Sequence, residues 1–252
     1  MDVIVIAVII FFLAVIFSML GLGGSLVYVP LFYWLGIDML IAIPTALLLN
    51  GITTSSAAIT YYRKKMINFH VAAPFVIASI IGAPIGAYFT KFVPIEILLW
   101  ILSAVLVFAG VRMLFSGGKN TESEISSIST DNRKSLTIGI FLGFVIGIIA
   151  GLLGIGGGVF IVPVLIALGY GAKRASATSA FIVLFSSFSG LFGHLTTGHL
   201  DTNLMIYTAI AAFIGGQVGS HLMHSKMKSE TIKQMFAVVL WIMAIKLVYG
   251  LM

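Results

Sequence analysis

The chain of 252 residues is 60% hydrophobic and only 9% charged, with a mean hydropathy of +1.16. A soluble domain carries about 25% charged residues, so these values exclude that class and imply a polytopic membrane protein. The net charge of +6 falls in short clusters between apolar spans and reads as topology, not nucleic-acid binding. The absence of cysteine excludes disulfides, thiolate metal sites and cysteine catalysis.

Apolar segments run roughly over residues 3–20, 22–36, 40–62, 69–90 and 94–115, then over 136–153, 155–169, 175–196, 202–222 and 231–250. The first has no Lys or Arg ahead of its apolar run, unlike a secretory signal peptide, and is expected to remain a membrane segment. Between the two sets of five lies a Ser-rich stretch with Gly117 and Gly118 near its start, which has the composition of a flexible linker. The expected organisation is a first repeat over 1–115, a cytoplasmic linker over 116–134 and a second repeat over 135–252.

One motif occurs in both sets: Gly-Leu-Gly-Gly-Ser-Leu-Val-Tyr-Val-Pro at Gly21 to Pro30 and Gly-Ile-Gly-Gly-Gly-Val-Phe-Ile-Val-Pro at Gly154 to Pro163. A shift of 133 positions (154 minus 21) also places Gly36 on Gly169, Thr45 on Thr178, Gly82 on Gly215 and Gly86 on Gly219. This is an internal repeat. Each interior helical glycine costs about 1 kcal/mol relative to Ala, so paired glycines in apolar sequence suggest opened backbone, which a bilayer tolerates only where it is buried in protein or lines a cavity. Matched breaks of this kind point to a transporter binding site.

Short loops rich in Lys and Arg mark the cytoplasmic side. Arg63, Lys64 and Lys65 follow the third segment, whereas the equivalent loop around Gly198 to Asp201 has no basic residue. The loop around Asp38 is likewise non-basic, whereas its equivalent has Lys173 and Arg174; Lys91 to Pro94 and the run of Lys226, Lys228 and Lys233 differ in the same sense. Equivalent loops are thus expected on opposite sides. The fold class is an all-α polytopic membrane protein with two inverted-topology repeats, each a glycine-broken helical hairpin followed by three transmembrane helices. The hairpin follows from length: a helix from Asp2 to Gly36 would reach about 52 Å, too long for one crossing of a core of about 30 Å. Hairpins entering from opposite sides bring the two glycine tips together.

Gly-rich turns that lead into helices present unobstructed N–H groups, and the helix dipole adds roughly half a positive charge. Two facing tips suit an anion; the alternative is that the glycines only permit close helix packing. All eight carboxylates lie at segment ends or in loops, whereas ion pumps and cation carriers keep an intramembrane acid. Polar side chains able to complete a neutral site follow each hairpin: Thr45, Asn50, Thr53, Thr54, Ser55 and Ser56, then Ser176, Thr178, Ser179, Ser186, Ser187 and Ser189. Thr45 and Thr178 stand out because they coincide in the repeat, Asn50 because a deep amide needs partners. For the remaining hydroxyls, bonding within or between helices is the alternative role. Gln217 fits packing as well as ligand contact, and His194 or His221 offers a route for proton coupling.

The twin Gly-x-Gly-Gly-(Gly/Ser)-x-x-x-x-Pro motifs, Ala-Thr-Ser-Ala at Ala177 to Ala180 and Gly-x-x-x-Gly at Gly215 to Gly219 resemble the TauE/SafE sulfite exporter family over nearly the whole chain. The resemblance implies a multi-pass permease of the prokaryotic plasma (inner) membrane for small sulfur-containing anions, such as sulfite or organosulfonates. The first copy departs from the second in having Ser25 opposite Gly158 and Pro44 to Ala46 opposite Ala177 to Ser179, which bears on the symmetry of the site.

The expected function is export of such an anion by alternating access. Gly21, Gly23, Gly24, Ser25, Gly154, Gly156, Gly157 and Gly158 would offer backbone N–H groups, with Thr45, Asn50, Thr178 and Ser179 completing the shell. No catalytic residue, metal or cofactor is expected, and the partners are the anion and the lipid bilayer. An anion channel or a permease for another small anion is the alternative. A more distant one is an intramembrane serine hydrolase built on Ser25 and His194, since a hydroxyl nucleophile needs an adjacent base.

Overall fold

The computed structural model describes residues 3–37, 39–94, 132–194 and 202–228 without interruption, with scattered positions in 97–107 and 230–245. Most of the fifth and tenth expected spans and of the 116–134 linker lies outside the described residues. The elements are α1 (Val3–Leu20), α2 (Ser25–Trp34), α3 (Met39–Arg63), α4 (Phe69–Phe89) running into a 3₁₀ turn (Thr90–Phe92), α5 (Asn132–Leu153), α6 (Gly158–Ala167), α7 (Ala172–His194) and α8 (Thr202–Lys226). Among the described residues there is no strand. Among the described residues, four helices, α1, α3, α4 and α7, are long and apolar enough to cross a membrane.

The glycines explain why each long apolar stretch breaks into two helices. Gly21, Gly23 and Gly24 have φ of +71°, +86° and +113°, and Gly154, Gly156 and Gly157 have +70°, +65° and +86°. A Cβ disfavours this left-handed region, so the helix stops after Leu20 and Leu153 and restarts at Ser25 and Gly158. At Gly21 the stop is a Schellman turn, with Leu22 N–H donating to Phe17 O at 3.0 Å; Ile155 N–H donates to Ala150 O at 3.1 Å in the second copy. Gly36 and Gly169 close α2 and α6 in the same way. The short helices have ten residues each and therefore reach about 15 Å, half of a hydrocarbon core of about 30 Å.

Packing places α3 and α7 at the centre. They contact each other, α3 also packs on α8 and α7 on α4, while α1 lies on α8 and α5 on α4. Burial follows this order: 78% of the apolar window of α3 and 67% of that of α7 are buried, against 39% for α1. The outer face of α1 exposes Ile4, Val8, Phe12 and Ile16, and α4 exposes Ile77, Ile81 and Ile85, large apolar surfaces that suit lipid.

Contacts also exchange between the halves. On α8, a Cβ at Gly215 would lie 2.6 Å from Phe11 O, and Gly219 is pressed against Val15 O; on α4, a Cβ at Gly82 would lie 2.6 Å from Phe144 O, and Gly86 is pressed against Ile148 O. Phe144 and Ile148 are the positions 133 after Phe11 and Val15. Each Gly-x-x-x-Gly thus lets the fourth helix of one half seat on the first helix of the other, the close backbone approach that small residues permit. Ser56 donates to Phe213 O and Ser189 to Ile80 O, both at 2.6 Å, again an equivalent pair.

Candidate functional site

The first glycine loop, 21–24, lies between α3 and α7. A Cβ on Gly21 would overlap the Ser176 backbone, and one on Gly23 would overlap the Asn50 amide and Thr54. The second loop, 154–157, lies along the same two helices: Gly154 faces Ile43, and Gly156 faces Asn50 and Ser187. The loops themselves touch, because a Cβ on Gly158 would stand 2.8 Å from Leu22 Cα and 3.1 Å from Gly21 O. The expected meeting of the two tips is therefore present in the fold.

Asn50 joins them. Its Oδ1 accepts the Ser25 N–H at 3.0 Å, the first N–H of α2, and its Nδ2 donates to Ser187 Oγ at 2.7 Å. Both partners are buried, as is Asn50, so the amide orientation is fixed by the donor on one side and the hydroxyl on the other. Loop carbonyls are held too: Ser179 Oγ donates to Gly21 O at 3.0 Å, and Ser186 Oγ to Gly156 O at 2.6 Å. Neither Gly24 nor Gly157, the residues preceding α2 and α6, has a side-chain cap. What remains at the loops is the positive end of two short helices in buried, uncharged surroundings, an arrangement that favours an anion.

The other candidates take structural places. Thr45 donates back to Ile41 O at 2.7 Å, and Thr178 accepts the Asn68 N–H at 3.1 Å. Thr53, Thr54 and Ser55 bond to carbonyls one turn earlier in α3. Gln217 donates to Ser56 O at 2.8 Å and accepts from Thr60 at 3.0 Å, tying α8 to α3. His194 Nε2 lies 3.1 Å from Gly151 O and, since a carbonyl only accepts, donates to it. Tyr61, the position 133 earlier, donates to Ser18 O at 2.7 Å, and Ser18 is the position 133 before Gly151. Tyr61 and His194 thus hold equivalent carbonyls in the last turns of α1 and α5, the first of which also accepts the Gly21 N–H at 3.1 Å. Ser25 Oγ has no hydrogen-bond partner, so the structure gives it no general base.

The end of α3, the start of α7 and the end of α8 gather at one end of the molecule. His224, beyond the apolar part of α8, places Nδ1 3.3 Å from Met66 Sδ. Burial first, then the charges of Lys64 and Lys173, hold it below its ordinary pKa range. Arg63, Lys64, Lys65 and Arg174 are exposed there.

A model of the family described as "Sulfite exporter TauE/SafE" matches residues 6–247. The chain belongs to the sulfite exporter TauE/SafE family. Among its relatives are the probable membrane transporter protein YunE of Bacillus subtilis, 30% identical over 92% of this chain and 92% of that protein, and the probable membrane transporter protein y4hK of Sinorhizobium fredii, 24% identical over 96% and 97%. Sulfite exporter TauE/SafE family protein 1 of Arabidopsis thaliana is 31% identical over 40% of this chain and 22% of its own length. No solved structure matches. This TauE/SafE protein is accordingly a multi-pass helical membrane transporter.

Proposed function

We propose that this TauE/SafE transporter exports a small sulfur-containing oxyanion, sulfite or an organosulfonate, from a prokaryotic cell through its plasma membrane. The observation that carries the reading is the contact of two left-handed glycine loops from different halves, linked by Asn50 between the N-terminal ends of α2 and α6. Oriented N–H groups in uncharged surroundings recognise an anion without an acidic or basic side chain.

Sidedness follows from the basic end around Arg63, Lys64, Lys65, Lys173 and Arg174, which is the cytoplasmic side by the positive-inside tendency. The α3 helix ends there and α7, its repeat equivalent, begins there, so the halves are inverted. The first loop enters from outside and the second from inside. Rocking one half against the other would open the shared site to each side in turn. Outward movement of an anion from a negative interior is favoured by roughly 2.3 kcal/mol per charge per 100 mV. The partners in this reading are the lipid bilayer and the anion, and no cofactor is required.

Sulfite flux into proteoliposomes tests it. Gly23→Val and Gly156→Val, which would drive a side chain into Asn50, should abolish flux while the protein still inserts. Wild-type flux from both variants would refute the loop site.

A further inference from the structure

Among the described residues, two buried side-chain polar atoms have no hydrogen-bond partner, Ser25 Oγ and Ser176 Oγ. Both residues are 0% exposed. An unpartnered buried hydroxyl is costly, and folded proteins keep few of them. Neighbouring hydroxyls do not share this state, since Ser179, Ser186, Ser187, Thr53 and Thr54 are all bonded.

The two orphans bracket one loop. Ser25 is the first residue of α2, and Ser176 stands across from Gly21, whose Cβ would overlap its carbonyl. Ser176 is also one turn from Ser179 on α7, which holds Gly21 O, so that face of α7 turns toward the first loop. Neither hydroxyl has an equivalent in the repeat, where Gly158 and Ile43 occupy the matching positions. They are therefore not remnants of a shared packing scheme.

We infer that the transported anion binds off the centre of the repeat, against the first loop, with the Ser25 and Ser176 hydroxyls donating to separate oxygen atoms of one oxyanion. This rests on the anion-transport reading and assigns its contacts. Hydroxyls alone would serve either sign of charge, but the positive end of the α2 dipole beside Ser25 favours an anion, although the Ser25 N–H itself is taken by Asn50. Two separate donors favour an oxyanion with at least two acceptor atoms over a halide. Ser176 thereby becomes a binding residue, and Thr45 and Thr178 are left to the framework.

The test compares Ser25→Ala, Ser176→Ala and the double variant with the wild type, all full-length in detergent. Thermal midpoints are followed against sulfite, with chloride as control and Ser186→Ala as a variant that breaks a formed bond. Without ligand, Ser25→Ala and Ser176→Ala should melt at or above the wild-type temperature, whereas Ser186→Ala should melt below it. Each single variant should raise the sulfite concentration for half-maximal stabilisation about tenfold, the size expected for one hydrogen bond to a charged group. The double variant should lose the shift. Full sulfite stabilisation in both single variants would overturn the inference alone, and lowered midpoints without ligand would assign the hydroxyls to structural water instead. Failure of the wild type to respond to sulfite, thiosulfate and sulfoacetate would overturn both the inference and the transport reading beneath it.

Discussion

The two glycine loops share a backbone and differ in what surrounds it. Each opens with a left-handed glycine that ends a helix, and each continues through two more into a ten-residue helix. In the first, the leading N–H of the short helix is taken by Asn50 Oδ1. In the second, the position matching Asn50 is Val183, which cannot accept. The first loop carries Ser25 and faces Ser176; the second carries Gly158 and faces Ile43. Duplication thus preserved the conformation, which glycine alone permits, and released the side chains around it. One loop has its leading N–H taken by Asn50, and the other has the small residue that lets the first lie against it.

Making the halves alike at position 50 should have the largest effect. Asn50→Val leaves the buried Ser25 N–H without an acceptor and removes the bond to Ser187, a loss of about 2–4 kcal/mol, seen as a lowered thermal midpoint together with abolished sulfite flux. A wild-type midpoint would show that the amide does not join the loops.

Next come the alanine substitutions at the residues preceding the short helices. Both Gly24→Ala and Gly157→Ala incur left-handed strain of about 1–2 kcal/mol. A Cβ at Gly24 would lie 2.5 Å from Tyr28 Cζ, whereas the nearest atom at Gly157 is 3.2 Å away. Denaturation should therefore show Gly24→Ala about 1–3 kcal/mol worse, the usual range for overpacking; equal losses would mean that Tyr28 yields freely.

A smaller effect is expected from Gly158→Ser, which copies the first loop into the second. Its backbone needs no glycine, but the Cβ would stand 2.8 Å from Leu22 Cα. Flux should fall more than stability, which should drop by about 1 kcal/mol, the low end of the range for overpacking, because the cost falls on the contact between the loops. Smallest of all is Tyr61→Phe, which removes one hydrogen bond to Ser18 O, worth about 1 kcal/mol in the midpoint.

Helix positions were legible because they depend on composition. The apolar runs 3–20, 69–90 and 202–222 lie close to α1, α4 and α8, and the glycine breaks announced themselves by duplication. Side-chain roles were harder. Thr45 and Thr178 drew notice by coinciding in the repeat, yet each bonds to backbone in its own way, because repeated position records shared packing as readily as shared binding. The pairing of Tyr61 with His194 was present in the same 133-residue offset but was hidden by their different chemistry. Ser176 could not be singled out from its neighbours on α7, since only the fold shows which hydroxyls have found carbonyls.

The most direct measurement is ligand-induced stabilisation of the purified protein by sulfite, sulfate, thiosulfate, sulfoacetate and taurine, with chloride as control, in the wild type and in Gly156→Val. Binding to the native state alone raises the thermal midpoint by mass action. The proposed site predicts a selective rise with a sulfur oxyanion in the wild type and none in Gly156→Val. An equal rise with chloride, no rise with any sulfur anion, or an unchanged response in the variant would contradict a sulfur-oxyanion site between the glycine loops.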